Sequence, residues 1–167
     1  MGGAERRLAK KIAEAGQLAD GEEVIAALQT LKPSEESRGS PLAPLKRVVE
    51  RKLNEGAYEA PADLDPSHEI ELDRFGVVLV ITDRRFLAFT EKGLSGGMAD
   101  LVTEAPIDEV ILRIHEGGRG PGKHRAYHLT LPDGRFLIRQ SMGLVGPMKK
   151  MANAFDEAYV ASGGDPS

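Results

Sequence analysis

Apolar positions at the start of the chain recur with helical spacing. Leu8, Ile12 and Ala15 fall on one face of residues 4–18, with Arg6, Arg7, Lys10 and Lys11 spread around the rest of the turn, which predicts a short amphipathic helix. Gly16 and the Asp20-Gly21 pair end it. In residues 23–31, Val24, Ala26, Leu28 and Thr30 alternate with Ile25, Ala27, Gln29 and Leu31. Their alanine content suits a helix. The glycine-bounded start, the Lys32-Pro33 stop and the short length suit a strand that opens a sheet, and both readings stand at this level. Residues 33–41 are polar and predict a loop. Leu45, Val49 and Leu53 then recur every four residues with Leu42 and Val48 beside them, predicting a second helix that stops near 54–56. Pro61 and Pro66 mark another loop.

From residue 76 the pattern changes to short β-rich segments bounded by Gly, Pro or Asp. Residues 76–81 are apolar on both faces, as in a strand buried between other elements, and Thr82-Asp83-Arg84 turns the chain into a partner strand at 85–90. Further strands are predicted at 101–105, 110–115, 125–131 and 135–140. Val110, Leu112 and Ile114 share one face against Arg113 and His115, and Tyr127, Leu129 and Leu131 oppose His128 and Thr130. Pro132-Asp133-Gly134 punctuates the last hairpin. Leu144, Met148, Met151, Phe155 and Tyr159 form the stripe of a closing amphipathic helix, with Pro147 in its first turn; this stripe has to dock on the preceding sheet. The composition of residues 162–167 predicts a disordered tail.

Composition narrows the class without naming an activity. With 167 residues, 41% hydrophobic and 29% charged, the chain has the makeup of one soluble globular domain. Zero Cys removes disulfides, thiolate metal sites and thiol nucleophiles together, and fits a reducing, cytoplasmic setting. A net charge of -4, zero Trp and 5% aromatics argue against nucleic acid as a partner. The longest apolar run, residues 75–81, is too short to span a bilayer, and the basic N-terminus is followed by no apolar stretch of the kind a secretory signal needs.

Candidate chemistry is sparse. His124 and His128 stand four apart, but along a strand that separates them by about 13 Å, so they cannot share a metal locally. His68 and His115 stand alone, and neither a metal nor another cofactor is expected. Residues 117–125 contain a Gly-rich run with Arg119, Lys123 and Arg125, yet the Gly-Lys pair is followed by His124 and a strand where a phosphate loop needs Ser or Thr and a helix. The plain reading is a long hairpin tip; as a binding loop, those three cations would meet phosphate or carboxylate groups. A second basic cluster, Lys46, Arg47, Arg51 and Lys52 with Arg38 upstream, reads either as a solvated helix face or as a lipid-binding one. Arg6, Arg7, Lys10 and Lys11 offer a similar surface, although only Leu8 and Ile12 provide apolar bulk for anchoring.

Taking residues 23–31 as the opening strand gives about seven strands and then a C-terminal helix. That order resembles the pleckstrin-homology (PH) superfold, in particular bacterial PH-like and GRAM-like domains. The reminders are Gly21-Glu22-Glu23-Val24-Ile25, the run from Val78 to Phe89 with Thr82-Asp83-Arg84-Arg85 at its turn, Ala105-Pro106-Ile107-Asp108-Glu109-Val110, and Leu131-Pro132-Asp133-Gly134-Arg135. The resemblance implies an α+β protein: a seven-stranded antiparallel β-sandwich or partly open barrel closed by the C-terminal helix. An N-terminal helix (1–20) and a helical insertion at about 33–74 are additions, within a PH-like domain at 21–160 and before a tail at 161–167. Such domains mostly bind lipid headgroups, peptides or protein surfaces. The expectation is therefore a non-catalytic module for a protein partner, with peripheral binding to the inner face of an anionic membrane as the alternative.

Overall fold

The structure, a computed structural model, describes residues 3–32, 61–72, 76–92, 97–117, 123–141, 144 and 146–164. Helix α1 (Gly3–Glu14) is followed by strands β1 (Val24–Leu31), β2 (Gly76–Thr82), β3 (Phe86–Lys92), β4 (Gly97–Ala105), β5 (Ile111–Gly117), β6 (His124–Thr130) and β7 (Phe136–Ser141), then by helix α2 (Gly146–Ala161). The protein is α+β, with seven antiparallel strands in one sheet of order β4-β3-β2-β1-β7-β6-β5. Residues 23–31 are thus a strand, which resolves the helix-or-strand ambiguity. The insertion helix predicted within 33–74 and the loop before it lie outside the described residues, apart from a short 3-10 turn at Pro66–His68 and the segment around it.

Link length shows that the sheet is curled. β4 and β5 sit at opposite ends of the strand order but are joined by residues 106–110 alone. Seven flat strands would place the outer pair about 29 Å apart. A link of five residues reaches at most about 21 Å. The sheet therefore bends round one core, in which Leu28, Leu79, Ile81 and Phe86 of one half meet Leu112, Tyr127, Leu129 and Leu137 of the other. Met151, Ala152, Phe155, Ala158 and Tyr159 of α2 complete this core, and the Phe155 ring stands edge-on to Tyr127 at 5.8 Å.

β2 is apolar on both faces because both faces are covered. Val77, Leu79 and Ile81 point into the main core, whereas Val78 and Val80 join Ala27, Leu87 and Phe89 in a second cluster under Ile12 of α1. Leu8 and Ala15 pack beside Ile12, so the predicted helical stripe is a docking stripe. At the start of β1 the register shifts between Val24 and Ala26, a bulge that leaves Ile25 46% exposed.

The Thr82–Arg85 turn fastens the segment before β1. Arg85 grips Glu22 with two hydrogen bonds, Nε to Oε1 at 2.9 Å and Nη2 to Oε2 at 2.8 Å. Thr82 Oγ1 and the Ala19 amide also donate to that carboxylate, at 2.8 and 2.7 Å. Arg85 further donates to the Gln17 carbonyl and pairs with Glu104, Arg84 reaches the Asp20 carbonyl, and Glu23 and Asp83 exchange hydrogen bonds. The two arginines of this turn, met in the sequence as a mark of fold, are structural clamps.

At the far end, α2 runs to Ala161 and closes in a glycine cap. Gly163 adopts φ +91°, its amide donates to the Val160 carbonyl and that of Gly164 to the Tyr159 carbonyl. Residues 162–164 are therefore part of the helix end and not of the tail that composition predicted; 165–167 lie outside the described residues. Tyr159 also fixes α2 to β5, its hydroxyl donating to the Val110 carbonyl at 2.7 Å and accepting from the Leu112 amide at 3.1 Å.

Two stability measurements test this arrangement. Truncating Ile12 to Ala, at 0% exposure, is expected to cost about 2–4 kcal/mol in urea unfolding, against near zero if α1 were only loosely attached. The Arg85 pair lowers the Glu22 carboxyl from 4.5 to about 2, so the stabilisation it contributes is complete above pH 4.5 and is lost as pH falls towards 2. Glu22→Gln should be less stable than the wild type by on the order of 2–3 kcal/mol at pH 7, with the gap closing below pH 3.

Candidate functional site

The sequence-selected cations that are described lie at the loop end of the β5–β6 hairpin, and both have internal partners. Lys123, half exposed, pairs with Glu116 at 2.9 Å. Arg125 enters β6 on the inner side and bridges to α2: Nε donates to Glu116 Oε1 at 2.9 Å, and Nη1 donates to Asn153 Oδ1 at 2.8 Å and to Asp156 Oδ2 at 2.7 Å. Arg125 thus ties the hairpin to the helix. Arg38, Lys46, Arg47, Arg51, Lys52 and Arg119 lie outside the described residues. On α1, Arg6, Arg7, Lys10 and Lys11 are exposed.

Tyr127 and Asp156 extend the Arg125 cluster inward. Burial raises the Tyr127 hydroxyl well above its ordinary range, reinforced by the Asp156 charge beside it. Burial likewise lifts the Asp156 carboxyl from 3.8 to about 6, although Arg125 pulls the other way. Tyr127 Oη and Asp156 Oδ1 are both buried with no hydrogen bond of ordinary length among the described residues. The four histidines divide by position. His68 and His115 are exposed, whereas His124 and His128 are each 2% exposed, with the His128 ring edge-on to Phe136 at 5.5 Å. Burial, with the Arg113 charge nearby, lowers the His128 pKa. Among the described residues no group of three His, Cys, Asp or Glu side chains is placed to hold a metal.

A second site, which sequence reasoning did not single out, lies at the seam between β1 and β7. Among the described residues these strands pair at Thr30–Ser141 and Leu31–Gln140. Beyond that point β1 ends, and β7 is met instead by the returning chain, whose Ile70 amide donates to the Phe136 carbonyl at 2.9 Å. The gap left between them is a cavity of about 350 Å³ lined by Lys32, Glu69, Ile70, Glu71, Leu72, Leu137, Ile138 and Arg139. Such a volume is within the range of small-ligand pockets, about 300–1,000 Å³.

Arg139 is the unusual member. It is only 2% exposed, it lies opposite Tyr127 in the β6–β7 ladder, and its Nε is buried with no hydrogen-bond acceptor among the described residues. Burial lowers the pKa of its guanidinium, and Glu69, acting through charge alone, partly restores it. Chemically, the cavity has a largely polar lining, with the buried cation Arg139 in its wall and Lys32, Glu69 and Glu71 around it. The register offered the missing signal: counting outward from the Pro132–Gly134 turn places Arg139 across from the core residue Tyr127.

No protein-family model matches the chain, and no curated protein sequence matches it significantly. Function has to be argued from the geometry.

The Asp156 carboxyl gives a pH prediction of opposite sign to that of Glu22. Because its folded pKa is raised, the native state holds the extra proton between pH 3.8 and about 6, and its contribution to stability declines as pH rises through that window. In urea titrations from pH 4 to 7.5, the stability of the wild type relative to Asp156→Asn should be greatest near pH 4 and fall by pH 7.

Proposed function

We propose that this chain is a non-catalytic interaction module of PH-like architecture that recognises a protein partner. The observation that carries the reading is the strand order β4-β3-β2-β1-β7-β6-β5, two meanders joined through β1 and β7, with a C-terminal helix packed into the core. That order supports the resemblance drawn from the hairpin residues, and folds of this kind present loops and sheet edges around a rigid core. The polar side chains add support. Glu22 with Arg85, and Arg125 with Glu116, Asn153 and Asp156, are engaged in holding elements together, as fits a scaffold for recognition.

The membrane reading is the alternative, and one observation shapes it. Leu8 and Ile12 of α1 face the sheet, so the helix has no bulky apolar side chain left to insert into lipid. Among the described residues, no helix is long and apolar enough to cross a membrane. What remains on α1 is charge, Arg6, Arg7, Lys10 and Lys11, each worth about 1 kcal/mol beside an anionic surface.

Co-sedimentation with anionic and neutral vesicles at low and high salt separates the two. The protein-partner reading expects no more protein in the anionic pellet than in the neutral one. Anionic binding that salt reverses would replace it with the membrane reading. Turnover of a substrate abolished by a single polar substitution would remove both.

A further inference from the structure

We propose that the cavity at the β1–β7 seam is a receptor for a carboxylate group, with Arg139 as its buried counter-charge. The site is independent of which macromolecule the module recognises.

Arg85, a quarter exposed at its side chain, has the Glu22 carboxylate on two nitrogens, the Gln17 carbonyl and Glu104. Arg125, 15% exposed at its side chain, has Glu116, Asn153 and Asp156. Both are structural arginines, and each is held by several acceptors. Arg139 is more deeply buried than either, yet no hydrogen bond from its guanidinium is formed among the described residues, and its Nε is sealed from water. A buried, permanently charged group without an acceptor is costly, and a ligand that supplied one would relieve that cost. The cavity is where that acceptor would enter, since Arg139 forms part of its wall.

The lining selects the ligand. A planar guanidinium presents a fork of N–H donors that matches the two oxygens of a carboxylate. One buried cation balances one negative charge. Glu69 and Glu71 disfavour a doubly charged phosphate, and Glu69 already acts on Arg139 through charge. Both a free small organic acid and the C-terminal end of a peptide carry this chemistry.

The test follows amide, methyl and Arg139 Nε–H resonances while the wild-type protein is titrated with N-acetyl-leucine, N-acetyl-leucine amide, inorganic phosphate, and a hexapeptide ending in leucine with a free or an amidated C-terminus. The expected result is saturable shifts at Leu72, Leu137, Ile138 and Arg139 with the free acids and none with the amides. Binding tighter for the hexapeptide acid than for N-acetyl-leucine assigns the site to chain ends, and the reverse assigns it to small acids; both support the carboxylate site. Arg139→Gln should weaken the acid at least tenfold, and Glu69→Gln, which removes the competing charge, should tighten it at least threefold. Glu69→Gln and the acid–amide pair decide the question even if Arg139→Gln does not fold. Equal response to acid and amide, a response to phosphate alone, or no saturable shift in the wild type and Glu69→Gln up to about 10 mM would overturn the proposal. A vesicle result of either sign leaves these outcomes unchanged, so the two readings fail separately.

Discussion

Strand β1 belongs to both halves of the sheet. Along its length it pairs with β2, and at its end Thr30 and Leu31 pair with Ser141 and Gln140 of β7, the contact that joins the two meanders. A shared strand must be apolar on both sides. Ala26 and Leu28 accordingly face the main core while Ala27 lies in the cluster beneath α1, and the small alanines let α1 and α2 approach the sheet from opposite faces. The Glu22–Arg85 pair fixes where this strand begins, because Glu22 immediately precedes it and Arg85 lies at the turn joining β2 to β3. Thr30 hydroxyl donating to the Val77 carbonyl at 2.9 Å satisfies the one polar group on the inner side of its far end.

The same strand creates the cavity by ending. Among the described residues, β1 pairs with β7 at two positions and ends at Leu31, so residues 137–139 of β7 have no described β1 neighbour. The returning segment reaches β7 only near Phe136. Arg139 stands between these two contacts, buried, with no hydrogen-bond acceptor for its Nε among the described residues. Where two meanders are joined at a seam this short, the defect in the ladder and the unpaired charge have a common origin.

Charge in this protein thus does two kinds of work. Around Arg85 and Arg125, carboxylates and carbonyls close on the guanidinium from several elements, and each cluster ties sequence-distant segments together: the β1 approach to the β2–β3 turn, and the β5–β6 hairpin to α2. Around Arg139 no such closure is made by the described residues. Such a contrast points to recognition more directly than net charge does, since in a chain with a charge of -4 the most buried cation among the described residues forms part of a cavity wall.

Hydrophobic periodicity alone determined much of the fold. The alternation in β5 and β6, the two-sided apolar run of β2, the stripe of α2 from Leu144 to Tyr159 and the Pro132–Gly134 turn are local patterns, and the structure places each of them as an element at or near its predicted bounds. Local patterns could not say whether 23–31 was helix or strand, because alanines fit either and the decision came from β2 and β7 pairing on its two sides. Nor could they rank the arginines. Arg84, Arg85, Arg125 and Arg139 look alike in sequence, and whether each is exposed, saturated or stranded depends on carboxylates that arrive from elements up to 63 positions away. The residues next to an arginine set its place along a strand; the partners that meet its charge are assembled only when the sheet closes.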